Sequence, residues 1–412
     1  MEKNVIALES QAAASRSALD ELVRLGAQKM LQSALEAEVA DYVERHHVAS
    51  DENGRRQVVR NGRLPGRTVL TGAGPLEIEQ PRVNDKRAQK KFTSSILPPY
   101  MRKSPSLEAL IPILYLKGIS TGQFGEALEA ILGPGAASLS ATSVTRLLQE
   151  WQKDYQKWNN RDLSDKEYVY WWADGIYFNV RLEDERTCIL VLMGTLKDGR
   201  KELIGIVDGF RESKLSWQDL LRGLKTRGLR DGAKLAVGDG ALGFWAALRE
   251  EFPQTTEQRC WVHKTANVLN KMPKGVQARA KERLNDIYMA ESRIDAKTAF
   301  SEFNNIYSAK YPKAWECLEK DRDVLLAFYD FPAKHWVHIR STNPIESTFA
   351  TVRHRTRRTK GNATRKATLA MVFQLCREAE RRWQRIRGCK LIIKLYMEDI
   401  VFVDGIEQKR SA

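Results

Sequence analysis

Long apolar runs are missing from this chain: nowhere in 412 residues do 18 apolar residues follow one another, so no helical membrane span is encoded. The opening Met1-Glu2-Lys3-Asn4-Val5-Ile6 has no basic head followed by an apolar run, and the expectation is a soluble, unexported protein. Cysteine is scarce. The five present, Cys188, Cys260, Cys317, Cys376 and Cys389, are odd in number and far apart, which argues against a disulfide framework and fits a reducing cytoplasm. Acid is in short supply too: 52 Asp and Glu stand against 67 Lys and Arg, a formal net charge of +15. Such an excess speaks to polyanion binding rather than to fold.

What is present is unevenly placed. Arg340 to Lys390 holds 14 Lys or Arg against 3 Glu, so most of the excess lies in one segment, as a nucleic-acid footprint requires. Its candidate phosphate contacts are Arg340, Arg353, Arg355, Arg357, Arg358 and Lys360. A second basic stretch, Arg55 to Arg67, carries five arginines and no acid and is broken by Asn61-Gly62 and Pro65-Gly66. It reads as a mobile loop in which Arg60 and Arg63 face either phosphate or water.

The length suggests two or three domains. Ala18 to Arg45 has helical spacing, with Leu19, Leu22, Leu25, Met30, Leu31, Leu35 and Val39 on one stripe, and reads as a packing or dimerising helix. Thr68-Val69-Leu70 and Leu76 to Glu79 flank Gly72-Ala73-Gly74-Pro75 and predict a small hairpin. Leu107 to Trp158 is helical, with a Gly133-Pro134-Gly135 break before a helix that Ser140 can cap. The pair resembles a helix-turn-helix that would offer Thr142, Ser143 and Arg146 to a DNA groove, or else a plain helical bundle.

From Tyr168 the pattern turns to strands. Tyr168 to Phe178, Cys188 to Met193 and Lys201 to Val207 are rich in aromatic and β-branched residues, and Lys197-Asp198-Gly199 is a hairpin turn. A helix over 215–224, a strand over 234–237, a helix over 244–251 and a strand over 256–262 follow. That is the element order of an RNase H-like α/β core. Residues 264–335 are helical, with 276–290, 294–311 and 315–329 as candidates, and read as an insertion. A late helix starts at Asn343 or Pro344 and a last one spans about 367–387.

Three carboxylates stand out. Asp174 sits inside the most apolar strand, where a charge is costly, and no polar break marks it as a turn. Asp239 lies between Gly238 and Gly240 at a strand's carboxyl end, where α/β sheets place their ligand crevice, although a turn aspartate would look the same. Glu346 follows Asn343 and Pro344 in a capping-box-like arrangement that also aims it consistently. Together the three form the oxygen-rich set that two Mg²⁺ ions, or Mn²⁺ in their place, require. Cys260 and His263 form a C-x₂-H pair, and His335 and His338 a second x₂ pair. These four either make a tetrahedral zinc site or pack beside the carboxylates, with His263 reaching a phosphate. Trp171, Trp172, Trp245 and Trp261 read as core.

Trp172-Ala173-Asp174-Gly175, Gly238-Asp239-Gly240, Gln258 to Lys264 and His335 to Ser347 resemble the Mutator-type transposases of bacterial insertion sequences, over roughly residues 20–390. The resemblance implies a mainly helical N-terminal part, with 1–100 a helical and basic region with a small hairpin for DNA binding or dimerisation and 101–160 a helix-turn-helix-like DNA-binding region, before an RNase H-like catalytic domain (165–264 and 336–390) interrupted by an all-helical insertion (265–335). It implies Asp174, Asp239 and Glu346 as catalytic metal ligands, Cys260 and His263 as a supporting pair and Arg353 as the basic residue after the glutamate. The implied activity is hydrolysis at the element's terminal inverted repeats followed by joining of the 3′-hydroxyl to target DNA. A homodimer at the nucleoid, in the cytoplasm, would perform it. A structure-specific nuclease on the same fold and a non-catalytic transposase-derived regulator are the competing expectations.

Overall fold

The computed structural model describes residues 2–87, 91–119, 123–132, 141–178, 187–209, 211–240, 242–359 and 364–410. The chain divides into two compact units, Met1–Leu147 and Leu148–Ala412.

In the first unit the helix α1 (Glu2–Arg45) runs further toward the N-terminus than its apolar stripe does. It buries Leu35 and Val39 and leaves Leu19, Leu22 and Met30 exposed. Four strands follow: β1 (Val58–Arg63), β2 (Arg67–Thr71), β3 (Gly74–Ile78) and β4 (Pro81–Asp85). The expected hairpin is β2–β3, its turn closing at Gly74, whose φ of 96° a side chain would resist. Leu35 packs there with Val69, Leu76, Ile78 and Leu97. The basic stretch is a strand in part, since β1 pairs with β4. Arg60 and Arg63 reach Glu36 of α1 at 2.6 and 3.0 Å, and Arg63 also reaches Glu79 at 3.3 Å. The acids that hold these arginines come from distant sequence, which a local charge count does not see. Helices α2 (Pro105–Leu116) and α3 (Phe124–Leu132) come next, and α4 (Ala141–Asn159) leads into the second unit. Gly133-Pro134-Gly135 and Ser140 lie outside the described residues.

The second unit is built on β5 (Tyr168–Phe178), β6 (Thr187–Leu196), β7 (Lys201–Gly209), β8 (Leu235–Gly238) and β9 (Thr256–Arg259). The strand order is β7-β6-β5-β8-β9, with β5, β6 and β7 antiparallel in turn and β5, β8 and β9 parallel. Helices α5 (Lys214–Thr226) and α6 (Leu242–Glu251) cross between them. The two-residue period of β5 assigns its faces. Trp171 and Ala173 pack with Trp217, Leu220 and Leu221 of α5 and Phe244 and Trp245 of α6. Tyr170 and Trp172 point the other way: the Tyr170 hydroxyl meets His335 Nδ1 at 2.7 Å, and the Trp172 indole donates to the His338 carbonyl at 3.0 Å.

Beyond β9 the chain is helical, as expected: α7 (Trp261–Leu269), α8 (Lys274–Met289), α9 (Arg293–Tyr307), α10 (Pro312–Glu319), α11 (Arg322–Leu325), α12 (Trp336–Ile339), α13 (Asn343–Thr359) and α14 (Arg365–Glu380). The last predicted strand stops at Arg259 because Cys260 leaves the sheet and caps α7. The expected helix over 315–329 breaks into α10, α11 and a 3₁₀ turn, Ala327–Asp330. A terminal hairpin of β10 (Ile400–Val403) and β11 (Ile406–Lys409) has no counterpart in the sequence expectations.

Candidate active site

Asp174 lies within β5 opposite Val191 of β6, so it is a strand residue and no turn. Ala173 is registered against Gly238, the last residue of β8, so Asp174 follows that pair within β5 and Asp239 follows it just past the end of β8. Strands of a sheet are about 4.8 Å apart. By the same two-residue period Asp174 belongs to the face of Tyr170 and Trp172, the one turned toward α12 and α13. Burial pushes the Asp174 carboxyl up to about 7 and the charges of Asp239 and Glu212 add to the push; His263 and the Gly175 amide, which donates to Asp174 Oδ1 at 2.8 Å, oppose it.

Thr342 organises the opposite side. It is fully buried, and its carbonyl accepts the Glu346 amide at 3.0 Å, which makes it the cap of α13 in place of Asn343. The capping box is therefore not formed as expected. The Glu346 carboxylate turns to the Thr342 hydroxyl, which donates to Oε1 at 2.6 Å. The same hydroxyl lies 3.2 Å from Cys260 Sγ and 3.3 Å from His263 Nδ1, and His263 Nδ1 is 3.8 Å from Glu346 Oε1. One ligand atom each from Cys260, His263 and Glu346 falls within a 4.8 Å cluster. A hydrogen bond with Cys260 raises the His263 imidazolium to about 9 against the pull of burial, helped by the charges of Cys260, Asp239 and Glu346. His263 thus links the aspartate pair to the glutamate electrostatically.

The four-ligand zinc arrangement is not made. His335 is fully buried, with Nδ1 at Tyr170 and Nε2 3.0 Å from the Gly388 carbonyl, while His338 Nε2 accepts the Arg387 amide at 2.9 Å. Both rings are committed to packing on β5 and the C-terminal segment. Glu212, which no motif signals, packs at Gly175 on the α5 and α6 side of β5 and adds its charge to the push on Asp174. Burial and the charge of Asp239 push the Glu212 carboxyl up to about 7, against Tyr177 and His263.

The family described as "Transposase, Mutator family" matches residues 1–386. This chain belongs to the Mutator family of transposases. It is 51% identical over 286 residues to the transposase for insertion sequence element IS6120 of Mycolicibacterium smegmatis, covering 69% of this chain and 88% of the relative. Similarity to the transposase for element IST2 of Acidithiobacillus ferrooxidans is 49% over 288 residues, 68% of this chain and 95% of that one. The transposase for element IS256 in transposon Tn4001 of Staphylococcus aureus is 30% identical over 327 residues, with 78% and 80% covered.

The basic residues of this Mutator-family transposase divide by environment. Arg353 is exposed on α13, with its guanidinium 5.8 Å from the centre of the Phe349 ring. Arg355 is not available as a phosphate grip: it is 2% exposed, one of the largest fully enclosed side chains. Arg340 is half-buried, holding the Tyr288 and Trp336 carbonyls and lining a cleft of about 530 Å³ with Trp261, Thr265, Tyr288 and Asn343. Arg146 is exposed and lies 3.6 Å from Glu108. Lys360 and the side chains of Thr142, Ser143, Arg357 and Arg358 lie outside the described residues.

Proposed function

We propose that this Mutator-family transposase cuts the terminal inverted repeats of its element and joins the freed ends to target DNA with two divalent cations held by Asp174, Asp239 and Glu346. The observation that carries the proposal is the neighbourhood of Asp174 on β5 and Asp239 just past the end of β8, each one residue beyond the registered Ala173–Gly238 pair, with the Asp174 face turned toward the helix of Glu346. The donor set fits hard cations: it offers carboxylate oxygens, and the charges of Asp239 and Glu212 bear unfavourably on the partly buried Asp174. In this reading residues 165–264 and 336–390 form an RNase H-like core, 265–335 its helical insertion, and 1–160 the region that finds the repeats.

Mg²⁺ or Mn²⁺, when bound there, would supply a nucleophile at neutral pH and charge for the leaving oxygen. The protein's share is placement. Asp174, Asp239 and Glu346 would hold the cations through their carboxylate oxygens. The Thr342 hydroxyl fixes the rotamer of Glu346, and the His263 imidazolium, charged at neutral pH, offsets negative charge gathering on the scissile phosphate. Water opens the phosphodiester and leaves a 3′-hydroxyl; that oxygen then bonds to a target phosphorus as the target's own 3′-oxygen departs. No bond to the protein forms. Arg353, Arg357, Arg358 and Lys360 hold DNA backbone through their charge, and two copies of the chain bring two ends together. Among the described residues no helix is long and apolar enough to cross a membrane, and the work is assigned to the cytoplasm, at the nucleoid.

The test uses DNA carrying the inverted repeats that flank the reading frame. Asp174→Asn, Asp239→Asn and Glu346→Gln are each expected to slow Mg²⁺-dependent cleavage by at least about 100-fold with DNA affinity unchanged. Equal binding by wild type and Asp174→Asn, with no cutting by either, would sink the enzymatic reading.

A further inference from the structure

The cleft of about 530 Å³ that Arg340 lines is walled by α7, α8 and the segment running from α12 into α13. That volume suits a small ligand or one group of a larger one. The walls belong to the same segments as the candidate centre: Val262 precedes His263, and Ser341 and Asn343 flank Thr342, whose hydroxyl holds Glu346. Trp261 is buried at the floor beside Tyr288, their ring centres 5.4 Å apart, whereas Val262, Met289 and Val337 are 46, 60 and 53% exposed at the rim. The polar groups of the cleft are short of partners. Thr265 Oγ1 is buried without a hydrogen bond, unlike Thr226 and Thr298, whose hydroxyls return to the carbonyl four residues back in their helices. Among the described residues Lys281 and Arg340 form no ion pair, while Arg283, also on α8, is held by Asp286 and Glu302. Lys274, seven residues before Lys281 and on the same face of α8, is exposed as well. An occupant that meets all of this has a flat apolar face, an edge that hydrogen-bonds and a negative charge beside it.

We propose that this cleft receives one unpaired nucleotide of the DNA strand beside the cleaved phosphate: its base lies on Tyr288 and Met289 with its edge at Thr265 and Asn285, and its phosphate meets Lys281 or Arg340. A paired base cannot enter, because the duplex covers its faces. The inference rests on the reading of Asp174, Asp239 and Glu346 as the cutting centre, which sets where along the DNA the base lies. The test is the affinity of the full-length protein for terminal-repeat DNA without divalent cation, measured by fluorescence anisotropy. The duplex is fully paired or carries one mismatch, moved position by position across the cleaved phosphate. Wild type is expected to bind one of the mismatched duplexes about tenfold more tightly than the paired one, within the range that stacking one base on an aromatic ring provides. Ala266→Trp, which fills the cleft from an exposed position of α7, is expected to abolish this preference and to bind paired DNA as wild type does. Met289→Ala is expected to weaken the preference, and it decides the matter if circular dichroism shows Ala266→Trp unfolded. Asp174→Asn is expected to keep the preference while failing to cut. Equal binding of paired and mismatched DNA by wild type at every position overturns the proposal, as does a preference that the folded cleft variants retain in full. Full cutting by Asp174→Asn, with the preference intact, removes the centre and leaves the cleft standing.

Discussion

One buried hydroxyl, that of Thr342, touches Glu346, Cys260 and His263 at once, so the geometry of the glutamate depends on a residue that is not itself ionisable. Thr342→Val keeps the shape and removes these bonds. It is expected to lower stability by about 1.5–3 kcal/mol, the range for hydrogen bonds to charged groups, and to slow cleavage with DNA affinity unchanged; denaturant melts and cleavage rates check both. The ionisations have a signature as well. Asp174 keeps its proton in the folded protein up to about 7 while the unfolded chain gives it up near 3.8, so metal-free stability falls as pH rises between those values. The His263 contribution is complete below pH 6.5 and is lost as pH climbs through about 9. Melting temperatures across pH should therefore show Asp174→Asn flattening the lower window and His263→Gln the upper one. Of these residues Asp174 was legible from its unusual place in an apolar strand. Glu212 was not, because its neighbourhood is made by Gly175, in a different strand, and by Asp239, beyond α5.

At the scale of elements, α13 shows how a pattern was present but outweighed by composition. Ile345, Phe349, Val352 and Arg355 repeat at helical spacing and are all buried. The run of arginines made Arg355 look like one more surface charge, whereas its register with the apolar stripe shows the difference. Arg355→Ala is expected to cost about 2–4 kcal/mol, from the lost packing of its stem and the groups left unpaired, as measured by guanidinium unfolding. Arg353→Ala on the outer face should leave stability unchanged and reduce the slope of log affinity against log salt by about 1. An unchanged slope would return Arg353 to plain solvation. The strands were easier: β5, β6 and β7 declare themselves by aromatic and β-branched runs around the Asp198-Gly199 turn, where Gly199 takes a φ of 83°. The end of β9 was misplaced because Cys260-Trp261-Val262 is as apolar as a strand, and the turn into α7 is set by tertiary contacts, such as the Trp261 amide bonded to the Arg340 carbonyl at 2.9 Å.

At the scale of the whole molecule, the net charge of +15 announces a polyanion partner, and the order of strands and helices announces the sheet. Parallel pairing of β5 with β8 brings Asp174 and Asp239 to neighbouring positions, and packing across the helical stretch from α7 to α12 brings Glu346 to Cys260 and His263. Spacing along the chain suggested these partners; only the folded arrangement gives their contacts. The central claim is that these carboxylates act as one centre for cutting and joining. Strand transfer tests it most directly: a pre-cut terminal-repeat end with a free 3′-hydroxyl is incubated with plasmid DNA, Mg²⁺ and the protein, and joined product is measured. Joining by wild type, and its loss in each of Asp174→Asn, Asp239→Asn and Glu346→Gln despite intact end binding, is the predicted result; joining at the wild-type rate by any of the three would contradict it.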